Sequence, residues 1–174
     1  MNFDQLVNGL PEGLVYAPIY KKGSPMVSGK PATGKNPLEA SYEQKFGPAD
    51  VALAIKRNPD IKAVGIFTGI RGNGIVILDV DRNLSKYLNT WGSTLDGAPM
   101  ITSTKANAAK YLFRVPKELW ADVKGHGLRK EDGGDYEILW GRQGVVIGDY
   151  PGGKVSKPGQ YTLQGDLKIG RAHV

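Results

Sequence analysis

Short apolar runs ended by glycine, proline, aspartate or asparagine recur along the chain, and this pattern predicts β-strands. The predicted strands cover residues 14–20, 63–69, 75–80, 99–104, 110–116, 135–140, 144–150 and 159–163. Longer stretches with helical spacing predict helices over residues 38–46, 48–59 and 84–92. Because strands and helices are interspersed, we expect an α+β fold with a mixed, partly antiparallel sheet.

The strand predicted at 75–80 runs directly into two acidic residues, in the segment GIVILDVDRN. Asp79 and Asp81 are two positions apart, so on a strand they point to the same face, about 7 Å apart along the chain. Two like charges on one face repel each other, and removing them from water costs free energy. A bound divalent cation would remove both costs. The alternative is that the strand has ended and both aspartates lie in solvent as turn formers.

A third carboxylate for such a cation is present in the segment DYEILW. Glu137 interrupts the apolar pattern of that predicted strand, which makes it the best candidate for a third ligand. The alternative is an ordinary strand residue that faces solvent. The metal hypothesis therefore requires that Glu137 lie in the same cleft as Asp79 and Asp81.

The composition narrows the classes of protein to which the chain can belong. Its 174 residues are enough for one domain or two small lobes. Its net charge of +6 and pI of about 9.4 are compatible with an anionic partner such as nucleic acid. The absence of cysteine excludes a disulfide scaffold and a cysteine-ligated zinc site. No apolar stretch reaches transmembrane length and the N-terminus lacks a signal-peptide pattern, so we expect a cytoplasmic protein without a membrane partner.

The last residues, KIGRAHV at 168–174, continue no hydrophobic pattern. IGRAHV is what one reading frame of a common sequencing adapter encodes. We therefore expect residues 168–174 to be foreign to the protein and the native chain to continue beyond residue 167. An ordinary frayed C-terminus is the alternative.

Two short motifs point to other chemistries, and both fit poorly. GKPATGK, residues 29–35, has the spacing of a phosphate-binding loop, but Asn36 replaces the required serine or threonine and no buried strand precedes it. ILDVDRN resembles the nucleophile motif of haloacid-dehalogenase-type phosphatases, in which the first aspartate attacks phosphate. Asn83 stands where that motif has threonine or valine, and a long segment precedes a strand that usually opens the phosphatase fold.

Several segments, in the same order, resemble the bifunctional primase–polymerase domain of the archaeo-eukaryotic primase superfamily. They are YAPIY, GKNP, AVGIFTGIRGNGIVILDVD, ITSTKANAAKYLFRVP and DYEILWGRQGVVIGDYPGGKVSKPGQYTL. The resemblance covers nearly the whole chain to residue 167. It implies a catalytic domain over residues 1–167, in which an RRM-like module (68–167) packs on a smaller N-terminal α/β unit (1–67).

The resemblance also implies roles for individual residues. Asp79, Asp81 and Glu137 would bind two Mg²⁺ or Mn²⁺ ions and carry the catalysis. Lys110 stands where the family usually has a histidine that contacts the incoming triphosphate, so the affinity for nucleotide or the choice of nucleotide is expected to differ. The other nucleotide-binding residues expected from the resemblance are Ser103, Lys105, Lys35 and Arg142.

The function implied by the resemblance is that of a DNA primase and DNA polymerase, which joins nucleotides on a template and releases pyrophosphate. Its partners would be nucleoside triphosphates and a single-stranded or primed DNA template. The family association is with phage and plasmid replication proteins, in which a helicase domain often follows. Two alternatives stay open: a non-catalytic nucleic-acid-binding module that keeps the fold, and a haloacid-dehalogenase-type phosphatase.

Overall fold

The computed structural model describes residues 3–126, 133–150 and 159–164. The helices are α1 (Phe3–Asn8), α2 (Ala40–Glu43), α3 (Pro48–Arg57) and α4 (Leu84–Leu95), with a 3₁₀ helix at Lys117–Asp122. The strands are β1 (Tyr16–Ile19), β2 (Ala63–Phe67), β3 (Ile75–Val80), β4 (Met100–Thr102), β5 (Ala109–Arg114), β6 (Tyr136–Leu139), β7 (Gln143–Tyr150) and β8 (Gly159–Gln164). The segment 168–174, predicted to be foreign, lies outside the described residues. Each helix in the described ranges is too short or too polar to cross a membrane.

The strands form one sheet in the order β1-β2-β7-β8-β4-β5-β3-β6. All pairings among these described strands are antiparallel, which confirms the α+β class but leaves no parallel part in the sheet as described. β2 comes from the predicted N-terminal unit and β7 from the predicted C-terminal unit, and the two pair from Ala63 opposite Gly148 to Phe67 opposite Gln143. One continuous sheet therefore connects the two predicted units.

The main apolar core lies on the face of β3 that carries Ile75 and Ile77. Both side chains are almost completely buried, and they pack with Leu112 of β5 and with apolar residues of β1, β2, α1 and α3. The opposite face of this part of the sheet is covered by α4, whose Leu95 packs with Tyr111 of β5. β3 is thus fixed from both sides, which makes it a rigid support for the residues at its end.

The helices differ more from their predicted ranges than the strands do. The predicted helix 38–46 is reduced to α2 (Ala40–Glu43), because Phe46 is drawn into an antiparallel bridge with Tyr16. The Tyr16 N–H donates a hydrogen bond of 2.9 Å to the Phe46 carbonyl. The sequence pattern predicts neither α1 nor the 3₁₀ helix, since each spans 6 residues and is too short to show a helical period.

Candidate metal centre

The position of β3 between β5 and β6 brings charged residues into one row across the sheet. Asp79 pairs in register with Lys110 of β5 on one side and with Glu137 of β6 on the other. Directly opposed residues share a face of the sheet, with Cβ atoms about 5 Å apart. Asp81 follows on the same side of the chain, and carboxylate oxygens of Asp79, Asp81 and Glu137 all lie within 4.8 Å of one another. The structure thus brings the three predicted metal ligands together.

The acidic cluster begins where the buried core ends. Along one face of the chain, Ile75 and Ile77 are followed by Asp79 and Asp81. The Ile77 side chain is completely buried, whereas Asp79 exposes 13 % of its side-chain surface and Asp81 exposes 34 %. The three carboxylates therefore lie at the mouth of a cleft, with Asp79 the deeper of the two aspartates.

Two lysines neutralise part of this negative charge. The Lys110 ammonium donates a hydrogen bond to Oδ2 of Asp79, and both side chains are largely buried. The Lys105 Nζ lies 2.7 Å from Oδ1 of Asp81, in a more exposed ion pair. In the structure, the positive charges of Lys110 and Lys105 reduce the repulsion among the carboxylates.

The electrostatic balance at Asp79 is unfavourable to its charge. Burial raises the pKa of the Asp79 carboxyl above its ordinary value. The Lys110 ammonium lowers this pKa in part, while the neighbouring charges of Asp81 and Glu137 raise it further. The ionised carboxylate is therefore held at a cost in free energy, and additional positive charge in the cleft would reduce that cost.

The donor set at this site suits a hard divalent cation. Mg²⁺ and Mn²⁺ prefer carboxylate oxygens, and Asp79, Asp81 and Glu137 supply them from two adjacent strands. No cysteine is present anywhere in the chain, so a softer thiolate site is excluded. The residues present fit a cation of this type, and Asp81 is the more exposed of the two aspartates.

The loop between β4 and β5 forms the rim of the same cleft. Ser103, Lys105 and Lys110 line it together with Asp79 and Asp81. The Lys105 N–H donates to the Ser103 Oγ over 3.2 Å, which fixes the turn that carries both side chains. Three of the predicted nucleotide-binding residues therefore lie beside the predicted metal ligands.

Asp135 follows two glycines, a setting typical of an exposed turn residue, but the structure buries it beside the acidic cluster. Only 5 % of its surface is exposed, and its carboxylate accepts hydrogen bonds from the Tyr87 hydroxyl at 3.0 Å and from the Asn83 amide at 3.2 Å. The Arg82 guanidinium forms an ion pair with the same carboxylate at 3.1 Å. Burial by itself would raise the pKa of Asp135, but these hydrogen bonds and charges outweigh it and hold the pKa below the ordinary value.

The backbone of Asp135 connects the end of β3, which carries the two aspartates, to the start of β6, which carries Glu137. Its carbonyl accepts a hydrogen bond of 2.8 Å from the N–H of Asp81. Since Asp135 precedes Glu137 by two residues, this contact sets the start of β6 against the end of β3. The only local signal was the turn-forming pair Gly133–Gly134, because the partners Tyr87 and Asn83 are about fifty residues away in the sequence.

The other two predicted nucleotide-binding residues, Lys35 and Arg142, lie at the opposite end of β3. Arg142 follows β6, and its N–H and carbonyl both hydrogen-bond with Thr68, just before Gly69 bridges to Ile75. The Lys35 carbonyl accepts a hydrogen bond of 2.9 Å from the side-chain amide of Gln143. Arg142 and Gln143 line a pocket separate from the acidic cleft, and Lys35 contacts Gln143 beside it.

His126 is placed away from the carboxylates. Its backbone bridges to Ile138 and its ring stacks on Tyr136, with 5.7 Å between the ring centroids. Tyr136 and Ile138 alternate with Glu137 along β6, so they lie on the other face of the sheet. In the described residues, Lys110 is therefore the cationic neighbour of Asp79, and no histidine takes that position.

Comparisons with protein-family models, with curated proteins and with solved structures find no match to this chain. The function of this chain is therefore inferred from the geometry of the cleft.

Proposed function

We propose that this chain is a template-dependent nucleotidyltransferase, a DNA primase and DNA polymerase that uses two divalent metal ions. One observation carries the proposal: Asp79, Asp81 and Glu137 present oxygens within 4.8 Å of one another from two paired strands. A pair of cations about 4 Å apart is the usual arrangement in enzymes that transfer nucleotides. The substrates are nucleoside triphosphates and a single-stranded or primed DNA template.

The topology around the cleft supports the RRM-like part of the proposal. β3, α4, β4, β5, the 3₁₀ helix and β6 follow one another in the chain, and the strands lie in the order β4-β5-β3-β6. An RRM has this succession of elements with a second helix before its last strand, and it has the same spatial order of four antiparallel strands. Here the 3₁₀ helix takes the place of that second helix.

The reaction makes one bond to phosphorus and breaks another. The 3′-hydroxyl of the primer loses its proton to water, its oxygen attacks the α-phosphorus of the incoming nucleotide, and the bond from that phosphorus to the pyrophosphate oxygen breaks, so that pyrophosphate leaves. Asp79, Asp81 and Glu137 would hold the metal ions at the end of β3 and on β6, which the core fixes in place. The ions, when bound, would supply positive charge for the attacking and leaving oxygens.

Lys110 and Lys105 change partners in this scheme. In the structure each is paired with an aspartate, Lys110 with Asp79 and Lys105 with Asp81. Metal ions held by the carboxylates would compensate their negative charge, and the two ammonium groups would then be available to nucleotide phosphates in the cleft that Ser103 also lines. Lysine binds phosphate as a point charge and keeps that charge well above neutral pH, unlike a histidine in the same position.

A second candidate is favoured by the same ion pairs. Lysines that neutralise the carboxylates permanently would leave a cleft that binds nucleic acid and catalyses nothing.

The phosphatase alternative gains no support, because its motif opens a doubly wound parallel sheet and β3 pairs antiparallel with both neighbours.

A primer-extension assay separates these functions. The purified chain is incubated with a labelled primer on a DNA template and all four deoxynucleoside triphosphates, with Mg²⁺, Mn²⁺ or EDTA. Extension that requires a divalent ion and is lost in Asp79→Asn supports the polymerase. DNA binding without extension under every condition supports the non-catalytic module. Hydrolysis of p-nitrophenyl phosphate without extension would support the phosphatase.

A further inference from the structure

A second pocket, of about 370 Å³, lies at the far end of β3 from the carboxylates. Arg71 and Arg142 line it, together with Tyr42, Phe67, Thr68 and Gln143. Its described lining contains two guanidinium groups and no carboxylate. This surplus of positive charge beside aromatic rings is typical of a site for a phosphate group next to a base.

The two arginines are held by tight turns. The Thr68 hydroxyl donates to the Arg142 carbonyl over 2.6 Å and accepts from the Arg142 N–H over 3.0 Å. Gly69 follows with φ of +77°, and a Cβ there would lie only 2.6 Å from the backbone nitrogen of Gly141. Only glycine permits this approach of the two turns, which together form the floor of the pocket.

Arg71 is placed in advance of any ligand. Its guanidinium carbon lies 4.6 Å from the ring centroid of Phe67 and 5.5 Å from that of Tyr42, and one terminal nitrogen donates to the Ser41 carbonyl. Its Nε is buried, and no hydrogen-bond acceptor reaches it from the described residues. A buried donor without an acceptor costs free energy.

Tyr42 provides a surface for a base. It is 53 % exposed although it packs edge-on against Phe67, with ring centroids 5.5 Å apart. An exposed aromatic ring adjacent to guanidinium groups is the arrangement on which single-stranded nucleic acids stack their bases. The rigid contact with Phe67 keeps this surface in place.

The distance from the carboxylates favours a strand of nucleic acid over a free nucleotide. Ile75, which bridges to Gly69 at this pocket, is four residues from Asp79, or about 13 Å along β3. A triphosphate bound at the carboxylates does not extend its own phosphates that far. A single strand whose end lies in the cleft is long enough to bring a later phosphate over that distance.

We infer that the pocket between Arg71 and Arg142 binds a phosphodiester of single-stranded DNA, with the adjacent base stacked on Tyr42. This inference rests on the proposed function, because it takes nucleic acid as the substrate. It assigns the pocket to the part of the DNA strand that extends beyond the acidic cleft. A phosphate of a free nucleotide has the same chemistry, so the experiment must distinguish the two sources.

The first measurement is the binding of a short fluorescein-labelled oligothymidylate, followed by fluorescence anisotropy in EDTA at several salt concentrations. Arg142→Ala is expected to weaken binding and to reduce the slope of log K against log salt by about 0.7, the value for one lost phosphate contact with a single strand. Arg57→Ala, an exposed arginine on α3, is the matched control and is expected to leave that slope unchanged.

The second measurement tests the base. Tyr42→Ala is expected to weaken oligothymidylate binding about fivefold or more, because a stacked base is lost, whereas Tyr42→Phe retains most of the affinity. Circular dichroism melts establish that each variant is folded before its binding is compared.

The third measurement tests the source of the phosphate, with unlabelled thymidine triphosphate titrated against the wild type and Arg142→Ala. The inference is overturned if Arg142→Ala binds the oligonucleotide as Arg57→Ala does. It is also overturned if Arg142→Ala loses affinity for the triphosphate and keeps its affinity for the strand. Because these titrations contain no metal and require no extension, they give an answer even where the primer-extension assay fails.

Discussion

Asp79 and Glu137 occupy directly opposed positions on β3 and β6, so backbone pairing between two strands sets the separation of their carboxylates. A loop would allow the two groups to move apart as their charges repel. Paired strands hold them together, with Asp81 close by and a lysine against each aspartate. The pairing therefore keeps the three carboxylates close together in spite of their like charge.

Replacement of the Asp79 carboxylate tests whether this residue is needed for catalysis or for the stability of the fold. Asp79→Asn is expected to reduce nucleotide incorporation to background, because the metal ions lose a ligand on the central strand. In EDTA the melting temperature is expected to change little, because the substitution relieves burial of a charge and repulsion by like charges but also breaks the ion pair with Lys110. Asp60→Asn, an exposed aspartate far from the cleft in sequence, is the control for both measurements. A steep fall in melting temperature would show that Asp79 is structural.

The role of Lys110 can be tested through kinetics. Lys110→Ala is expected to raise the KM for nucleotide far more than it weakens template binding, because the lost contact is with the triphosphate. Lys110→His should recover part of the activity at low pH and lose it as the pH rises through about 6.5, the ordinary value for histidine. The control is Lys56→Ala on α3. Equal weakening of template and nucleotide binding would place Lys110 in a general basic surface.

Asp135 is expected to position Glu137 for metal binding. Asp135→Asn and Tyr87→Phe each weaken the set of hydrogen bonds that holds the start of β6 against β3. We expect a loss of about 10–100-fold in Mn²⁺ affinity, as is usual when the partners that orient metal ligands are removed. Isothermal titration with Mn²⁺ measures this directly, without any enzymatic activity. Unchanged Mn²⁺ affinity in both folded variants would contradict the positioning role.

A pH-dependent contact holds the long loop between β1 and α2. The Tyr20 hydroxyl donates to the Glu39 carboxylate, which also accepts a hydrogen bond of 2.9 Å from the Val27 N–H. Burial together with this bond raises the pKa of Tyr20 to about 12, and the bond from Tyr20 lowers the pKa of Glu39 below its ordinary value of 4.5.

The sign of the pH effect follows from the lowered pKa of Glu39. A carboxyl whose pKa is lower in the folded state stabilises the protein above about pH 4.5, and this stabilisation is lost as the pH falls through the folded value. Urea unfolding of wild type and Tyr20→Phe is expected to differ most near neutral pH, and the difference is expected to shrink as the pH falls below the ordinary Glu value of 4.5. Curves that stay parallel over this range would show that Glu39 does not depend on Tyr20.

The strands and the alternation within them were predictable from the sequence. Apolar runs between turn residues placed β3 at its observed bounds, and the period of two put Asp79 and Asp81 on the face of Ile77. Glu137 was recognisable because it interrupts an apolar run. These features depend on nearest neighbours in the chain, so a local pattern is sufficient to predict them.

The neighbours of each strand were decided by the tertiary structure. Asp79 meets Lys110 and Glu137 only because β3 lies between β5 and β6, and no local pattern specifies which strands pair. The anchoring of Asp135 by Tyr87 likewise requires α4 to pack against the sheet. Arg142 lies at the other end of β3 because the chain turns at Gly141 and joins Thr68, a contact between residues 74 positions apart. Strand register and pairing over such separations depend on how all the elements bury their apolar faces together. The acidic residues could therefore be identified from the sequence, whereas their proximity depends on the tertiary structure.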